Sequence, residues 1–292
     1  MQLAAQAIIL GVLTGGVYAL MASGQTLIFG VMKVVNLAQG AFVVLSAYLT
    51  FSLFTGFGVD PFLAILITTP AMFGLGVAVH WLVLRPLKHE DVGQLSLLVT
   101  FAVALGVEGV LALAYETTYR SVQPGYENRS WTVAGLQISE VRLYAFGLSA
   151  VMLAALYLIL ERTRLGMAIR ATVQNPTSAR LLGVSSERVA ALGFGLGAAT
   201  AAAAGSVYGL LYPFNPGSHY DLISRLLTIV VLGGMGSVGG AVVAAMIMGV
   251  GSSIVAALAS PIWSDFTFFV VLLAVLLIRP RGLFGARARG AL

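Results

Sequence analysis

Catalysis needs clustered donors or nucleophiles, and this chain of 292 residues offers few. Its three histidines come with no HExxH spacing and no paired carboxylates. It has no cysteine, which excludes disulfides, thiolate metal sites and thiol nucleophiles. Gly234-x-Gly236-x-x-Gly239 has the spacing of a dinucleotide fingerprint, but no strand precedes it, no acidic residue follows, and it lies in an apolar run. It is read as a chance match. No Walker A sequence occurs, so the chain itself is not expected to bind ATP or any other cofactor. The chemistry on offer is instead polar groups embedded in apolar segments. Glu108 lies inside such a segment, where a carboxylate is costly and often functional. A structural or path-lining role suits this single acid better than proton relay. Asn36 and Gln39 have two open roles, binding a polar solute or satisfying freed backbone groups. Lys33 reads as a charge reaching for the cytoplasmic interface.

A second concentration of chemistry is basic. Residues 161–188 carry Arg162, Arg164, Arg170, Arg180 and Arg188 against Glu161 and Glu187. Within them Asn175 is a good N-cap, Pro176 suits the first helical position, and Gly183 suits the left-handed residue after the end. The spacing predicts a helix over 176–182, with Thr177, Ser178 and Arg180 exposed and Leu181 and Leu182 packed back. A capped, stiff helix on a cytoplasmic loop is suited to receiving a push from another protein. The plainer alternative is an ordinary basic loop.

The elements that hold these groups are membrane helices. The chain is 59% hydrophobic and 9% charged, with a mean hydropathy of +0.97. Soluble domains carry about 25% charged residues. The net charge of +5 reflects Arg and Lys gathered in cytoplasmic loops rather than a nucleic-acid surface. The sequon Asn128-Arg129-Ser130 reads as chance, and no signal peptide is evident. Trp131 and Trp263 read as interfacial anchors.

About 20 apolar residues cross a bilayer. Candidate spans are 3–22, 40–54, 61–84, 93–114, 143–160, 189–211 and 266–278, with a long stretch, 226–259, interrupted at 233–240. Thr26 to Ala38 is too short for a span and reads as broken by Gly24, Gly30 and Lys33. Residues 212–224 read as an outside loop in which His219, Asp221, Tyr212 and Tyr220 offer a docking face or are simply solvated. Arg85, Lys88, the 161–188 loop, Arg279, Arg281, Arg287 and Arg289 are expected inside, while the side of the N-terminus stays open. Unwound backbone at membrane depth is tolerated only against protein or a water-filled cavity. The two glycine-broken segments therefore point to a translocation path near the midplane, with Gly30, Asn36, Gln39, Gly40, Glu108, Gly233, Gly234, Gly236 and Ser237 as candidates. The GxxxG pairs Gly11/Gly15, Gly193/Gly197 and Gly205/Gly209 read as packing sites.

The runs GGVYALMASGQTLIFGVMKVVNLAQGAF (15–42), LRPLK (84–88), RLGMAIRATVQNPTSARLLGV (164–184), VLGGMGSVGGAVV (231–243) and LIRPRGLFG (277–285) resemble the permease subunits of branched-chain amino-acid ABC importers. The resemblance covers nearly the whole chain. It implies an ABC importer permease fold, all-α, as a single domain over 1–292 with about eight transmembrane helices plus broken or re-entrant segments, in a bacterial inner membrane. It further implies a second related permease, two cytoplasmic ATPases carrying ATP-Mg, and a periplasmic solute-binding protein as partners. The family's coupling loop falls on 164–184, so Arg170, Asn175, Pro176, Thr177, Ser178, Arg180 and Gly183 are the expected ATPase contact. Two departures stand out. Ala38-Gln39-Gly40-Ala41 replaces an AHGE-like turn, and Gln174-Asn175 replaces a common acidic pair. The function expected is ATP-driven import of a branched-chain amino acid or a similar small solute. A stand-alone transporter or channel is the alternative, disfavoured by the scarcity of intramembrane ionisable residues. A membrane-embedded enzyme lacks a catalytic constellation, and a scaffold would leave the broken segments without a role.

Overall fold

The computed structural model describes residues 2–87, 92–126, 129–133, 136–279 and 282–284. Lys88, Asn128, Arg281, Arg287 and Arg289 lie outside the described residues. Glycine packing lets the first helix, α1 (Gln2–Met32), run unbroken for 31 residues, about 46 Å at the usual rise. This corrects the expectation of a break at Gly24 and Gly30. A Cβ on Gly24 would lie 2.0 Å from Thr200 Oγ1, so Gly24 is there for close approach to the neighbouring helix and does not unwind its own. Helix α1 ends at Lys33, a non-glycine residue with a φ of 57°. An extended return, 33–38, then leads into α2 (Gln39–Phe57).

Next come α3 (Pro61–Leu84), whose last turn is π-helical, α4 (Val92–Tyr115) and α5 (Glu140–Arg162). Two short helices follow, α6 (Arg164–Gln174) and α7 (Pro176–Leu181), before the chain returns to the bundle as α8 (Ser186–Leu211). A second return, 212–218, precedes α9 (His219–Gly233). A glycine turn then joins α9 to α10 (Val238–Leu258), and α11 (Pro261–Ile278) closes the membrane part. Eight helices among the described residues are long and apolar enough to cross a membrane. Residues 219–224 are thus helix, not the expected loop, because the Asn215-Pro216 turn starts α9 early.

The order long helix, extended return, shorter helix, full helix occurs twice with opposite direction. Helix α1 packs most extensively on α10, and α8 packs most extensively on α3, so each half lends its long helix to the other. This is the inverted-repeat arrangement of many transporters. Helix α8 is the most deeply enclosed of the long helices, and α2 and α3 are pinned to it by hydroxyls. Ser46 donates to the Ala202 carbonyl (2.7 Å), Thr50 to Ser206 Oγ (2.7 Å), and Thr68 Oγ1 lies 3.1 Å from the same oxygen. Small residues let these backbones approach, since a Cβ on Gly205 would fall 2.1 Å from the Val43 carbonyl.

Outside, the pair β1 (Ser130–Val133) and β2 (Leu136–Ser139) covers the N-terminus, where the Gln137 amide donates to Gln6 Oε1 (3.1 Å). Asp60 caps α3 by accepting from Phe62 N (2.9 Å) and also accepts the Tyr126 hydroxyl (2.8 Å). Burial first, and then this bond, hold the Tyr126 phenol above its ordinary range. The N-terminus shares the side of the 116–139 segment, opposite the Arg-rich α6–α7 unit. Because the chain has no cysteine, single-cysteine labelling tests this directly. Gln2→Cys is expected to react with an impermeant maleimide only from outside, and Ser178→Cys only from inside. The same sidedness for both would refute the topology.

Candidate functional site

The two extended returns carry the polar groups that the sequence singles out. At the first, Asn36 Oδ1 accepts from Ala38 N (3.1 Å), the Asn36 carbonyl from Gln39 N (3.3 Å), and the Asn36 amide donates to Gln39 Oε1 (3.4 Å). Gln39 Nε2 then reaches across to the Gly197 carbonyl in α8 (3.1 Å), and Leu37 N donates to Thr100 Oγ1 (3.1 Å). At the second return, Asn215 N donates to Ser218 Oγ (2.9 Å), that hydroxyl donates to Asn215 Oδ1 (3.1 Å), and Ser218 N donates to the Asn215 carbonyl (3.0 Å). An Asn-x-x-polar turn thus opens both α2 and α9. The two openings touch: a Cβ on Gly40 would lie 2.7 Å from the His219 carbonyl. Asn36 and Gln39, whose role the sequence leaves open, spend these hydrogen bonds on the protein itself, and both are fully buried.

Glu108 stands on the far side of this junction, accepting from Tyr220 Oη (3.0 Å) with His219 Nε2 at 3.8 Å. His219 is buried, not solvated as the loop reading would have it, and its Nδ1 faces the Pro216 carbonyl (3.1 Å). In the glycine turn, Gly234 and Gly236 take φ of 93° and 90°, which only glycine adopts without strain. Gly233 abuts Gly240 and Ala241, with 2.6 Å to an added Cβ, and Ser237 caps α10 by accepting from Gly240 N (3.1 Å). The freed Leu232 carbonyl is bound by Leu283 N (2.7 Å).

Two cavities lie on the seam between α1, α5 and α10. The inner one, about 650 Å³, is lined by Thr26, Gly30, Tyr157, Gly236, Gly239 and Val242, with the Glu161–Arg170 ion pair at its rim. The buried Thr26 hydroxyl has no hydrogen-bond partner among the described residues. The outer cavity, about 510 Å³, is lined by Thr14, Tyr18, Arg142, Tyr212, Arg225 and Asp265 among others. Both volumes are in the range of small-molecule sites, roughly 300–1,000 Å³. Beside them the seam is closed by backbone contact. A Cβ on Gly11 would lie 2.5 Å from Val250 Cα, one on Gly249 would lie 2.6 Å from Gly15 Cα, and Phe146 covers Gly16 at 2.5 Å. Of the nine path candidates, Gly30 and Gly236 line the inner cavity. Asn36, Gln39 and Gly40 sit in the first return, Glu108 by the second, and Gly233, Gly234 and Ser237 in the turn behind Gly236.

Sequence reasoning missed Arg225 and Asp265. Arg225 donates to Tyr18 Oη (2.8 Å), forms an ion pair with Asp265 and stands over the Phe268 ring at 5.7 Å. The signal was available, because Arg225 falls inside the apolar, helical pattern that starts at His219. Drawing that boundary at Leu226 hid it.

At the Arg-rich end of the bundle, Thr163 caps α6 by accepting from Gly166 N (3.1 Å). The turn into it needs Gly166, whose Cβ would meet the Leu160 carbonyl at 2.1 Å. Ile169 packs with Leu27, Leu156 and Val189, which seats α6 on the bundle. Asn175 Oδ1 accepts from Thr177 N (3.1 Å) and Ser178 N (3.0 Å). Gly183, at φ 84°, ends the next helix with Gly183 N bonded to the Arg180 carbonyl and Val184 N to the Ala179 carbonyl, both 3.0 Å. Leu181 and Leu182 do not pack back, being 84% and 83% exposed. So short a helix has one inward face, filled by Ala179, and both leucines project from the bundle with Thr177, Ser178 and Arg180. Arg170, turned to Glu161, stands apart from them.

The family described as branched-chain amino acid transport system / permease component matches residues 7–276. The chain is 28% identical over 296 residues to the high-affinity branched-chain amino acid transport system permease protein BraD of Pseudomonas aeruginosa, covering 96% of this chain and 95% of that one. It is 28% identical over 292 residues to the permease protein LivH of the same type of system in Escherichia coli, covering 94% and 93%. Among solved structures, PsaBC from Streptococcus pneumoniae in complex with Fab aligns with 97% of this chain and 92% of its own at 12% identity, with a TM-score of 0.45, too loose to bear on the site.

Gln39→Leu removes the bond to the Gly197 carbonyl and the partner of the Asn36 amide, inside a membrane where water cannot replace either. A stability loss of about 1–3 kcal/mol is expected, read as a lower thermal midpoint in detergent. An unchanged midpoint would mean that the first return is held by other bonds.

Proposed function

This chain belongs to the permease-component family of branched-chain amino acid transport systems, and from that premise we propose that it carries a branched-chain amino acid inward, driven by ATP hydrolysis on separate cytoplasmic subunits. It is an inner-membrane permease of the ABC importer type. A transport component needs no catalytic constellation. What carries the coupling half of the proposal is the cytoplasmic α7, a helix capped at both ends whose apolar Leu181 and Leu182 stand in solvent beside Arg180. Exposed leucines on a rigid mount favour burial against a partner. ATPase closure would then push α7, which moves α6, and α6 bears on α1, α5 and α8 through Ile169. The partners proposed are two ATPases carrying ATP-Mg, a second related permease, and an outside solute-binding protein.

The path proposed follows the α1–α5–α10 seam, because both cavities open on it and the glycine contacts close it beside them. Rocking α1 against α10 would join the solute to one side at a time. The transporter purified by a tag on this chain and placed in liposomes should accumulate labelled leucine, isoleucine or valine only with ATP. Equal uptake without ATP would instead support a stand-alone carrier. Gly183→Val is expected to uncouple the two activities. A β-branched residue at φ 84° costs roughly 1–2 kcal/mol and loosens the end of α7, so hydrolysis should continue while uptake falls. Normal uptake per ATP in that variant would count against α7 as the lever.

A further inference from the structure

The outer cavity holds more charge than a passive vestibule in a membrane needs. Arg225, from the second turn of α9, is spoken for: Asp265 neutralises it and Tyr18 accepts one of its protons at 2.8 Å. Arg142, from the first turn of α5, is different. It has no ion-pair partner among the described residues and lies over the Tyr212 ring at 6.0 Å. The cavity therefore carries two guanidinium groups against one carboxylate, a deficit of one negative charge. Asp265 is 58% exposed while its arginine is 23% exposed, so the carboxylate keeps a face turned away from the pair. The α1 and α10 sides of the cavity give apolar surface at Leu3, Ala7, Leu10, Ala256 and Ala257, interspersed with Gln6, Thr14, Ser252 and Ser253.

Resting on the permease reading, we propose that this cavity is a receiving site for the zwitterionic head of an aliphatic amino acid released at the outer face. Its carboxylate pairs with Arg142 and its ammonium with the free face of Asp265, while its side chain lies on the α1–α10 wall. Arg225 and Tyr18 act as positioning residues that hold Asp265 in place. An anionic lipid headgroup offers the same charge to Arg142, and the test separates the two sources.

The test uses the complete transporter, purified by a tag on this chain and held in nanodiscs, with three probes of one shape. L-leucine carries both charges, 4-methylpentanoate only the carboxylate, and 3-methylbutylamine only the ammonium. Arg142→Gln is expected to weaken leucine and 4-methylpentanoate by roughly tenfold to a hundredfold and to leave the amine unchanged. Asp265→Asn is expected to weaken leucine and the amine and to strengthen 4-methylpentanoate, since Arg225 is then also free for an anion. That reversal is a readout that misfolding does not produce. Wild-type affinities in Arg142→Gln, or no binding of any probe to the unaltered transporter, would overturn the proposal. So would native mass spectrometry showing an anionic lipid retained by the unaltered protein and lost in Arg142→Gln while leucine binding is unmoved. ATP-driven uptake in liposomes tests the permease reading separately. Uptake by the unaltered protein together with wild-type KM in both variants would remove this site and leave that reading standing.

Discussion

Where a chain unwinds inside a bilayer, its amide and carbonyl groups have no water to turn to. Two asparagines meet that constraint here. Asn36 and Asn215 each fold the residues after them into a tight turn that starts a helix, and each is closed by a polar residue three positions on, Gln39 or Ser218. Neighbours satisfy what remains. Thr100 and the Gly197 carbonyl serve the first return, while the Arg120 backbone pairs with Phe214 at the second. Because the bonds are internal, α2 and α9 can begin within the protein and meet at Gly40 and His219. The inverted architecture depends on those two junctions, since each lets a long helix pass to the opposite half.

The long helices then create the seam. Helix α1 lies against α10 with glycines at Gly11, Gly15 and Gly249, where an added methyl group would strike backbone. Such contact is held by close packing of small residues, which lets the two backbones approach. The inner cavity lies toward the α6–α7 mount, and the outer cavity reaches Leu3 and Gln6 near the N-terminus. From α5, the ring of Phe146 lies over Gly16. A displacement at α7 therefore has a short mechanical route to the α1–α10 contact, through Ile169 and its neighbours Leu27 and Leu156.

Much of this was legible in the sequence. Hydropathy gave the helices, the positive loops set the orientation that is expected, and the Asn175-Pro176 and Gly183 signals bracketed α7 closely. Glycine was the main source of error. In α1 it reads as a breaker but serves helix contact, whereas at Gly234 and Gly236 it does mark a turn, with positive φ. Local pattern does not distinguish these uses, because the deciding atoms belong to helices some 170 to 200 residues away. The burial of His219 and the pairing of Arg225 with Asp265 were hidden for a similar reason: the Asn215 turn starts α9 at His219, and the partners of these side chains come from α1, α4 and α11. Leu181 and Leu182 were assigned inward by their type, but a six-residue helix has only one face to bury.

In the proposed mechanism, movement of the α1–α5–α10 seam under control of the nucleotide joins the fold to transport. Reciprocal accessibility tests it most directly. Ala154 lines the inner cavity and Ala257 the outer one, and the chain has no native cysteine to interfere. Single cysteines at these two positions, in the complete transporter, would be labelled with an impermeant thiol reagent in nucleotide-free and ATP-trapped states. The expected result is that one site gains reactivity as the other loses it when ATP is bound. Rates that do not change, or that rise and fall together, would contradict a seam that opens to one side at a time.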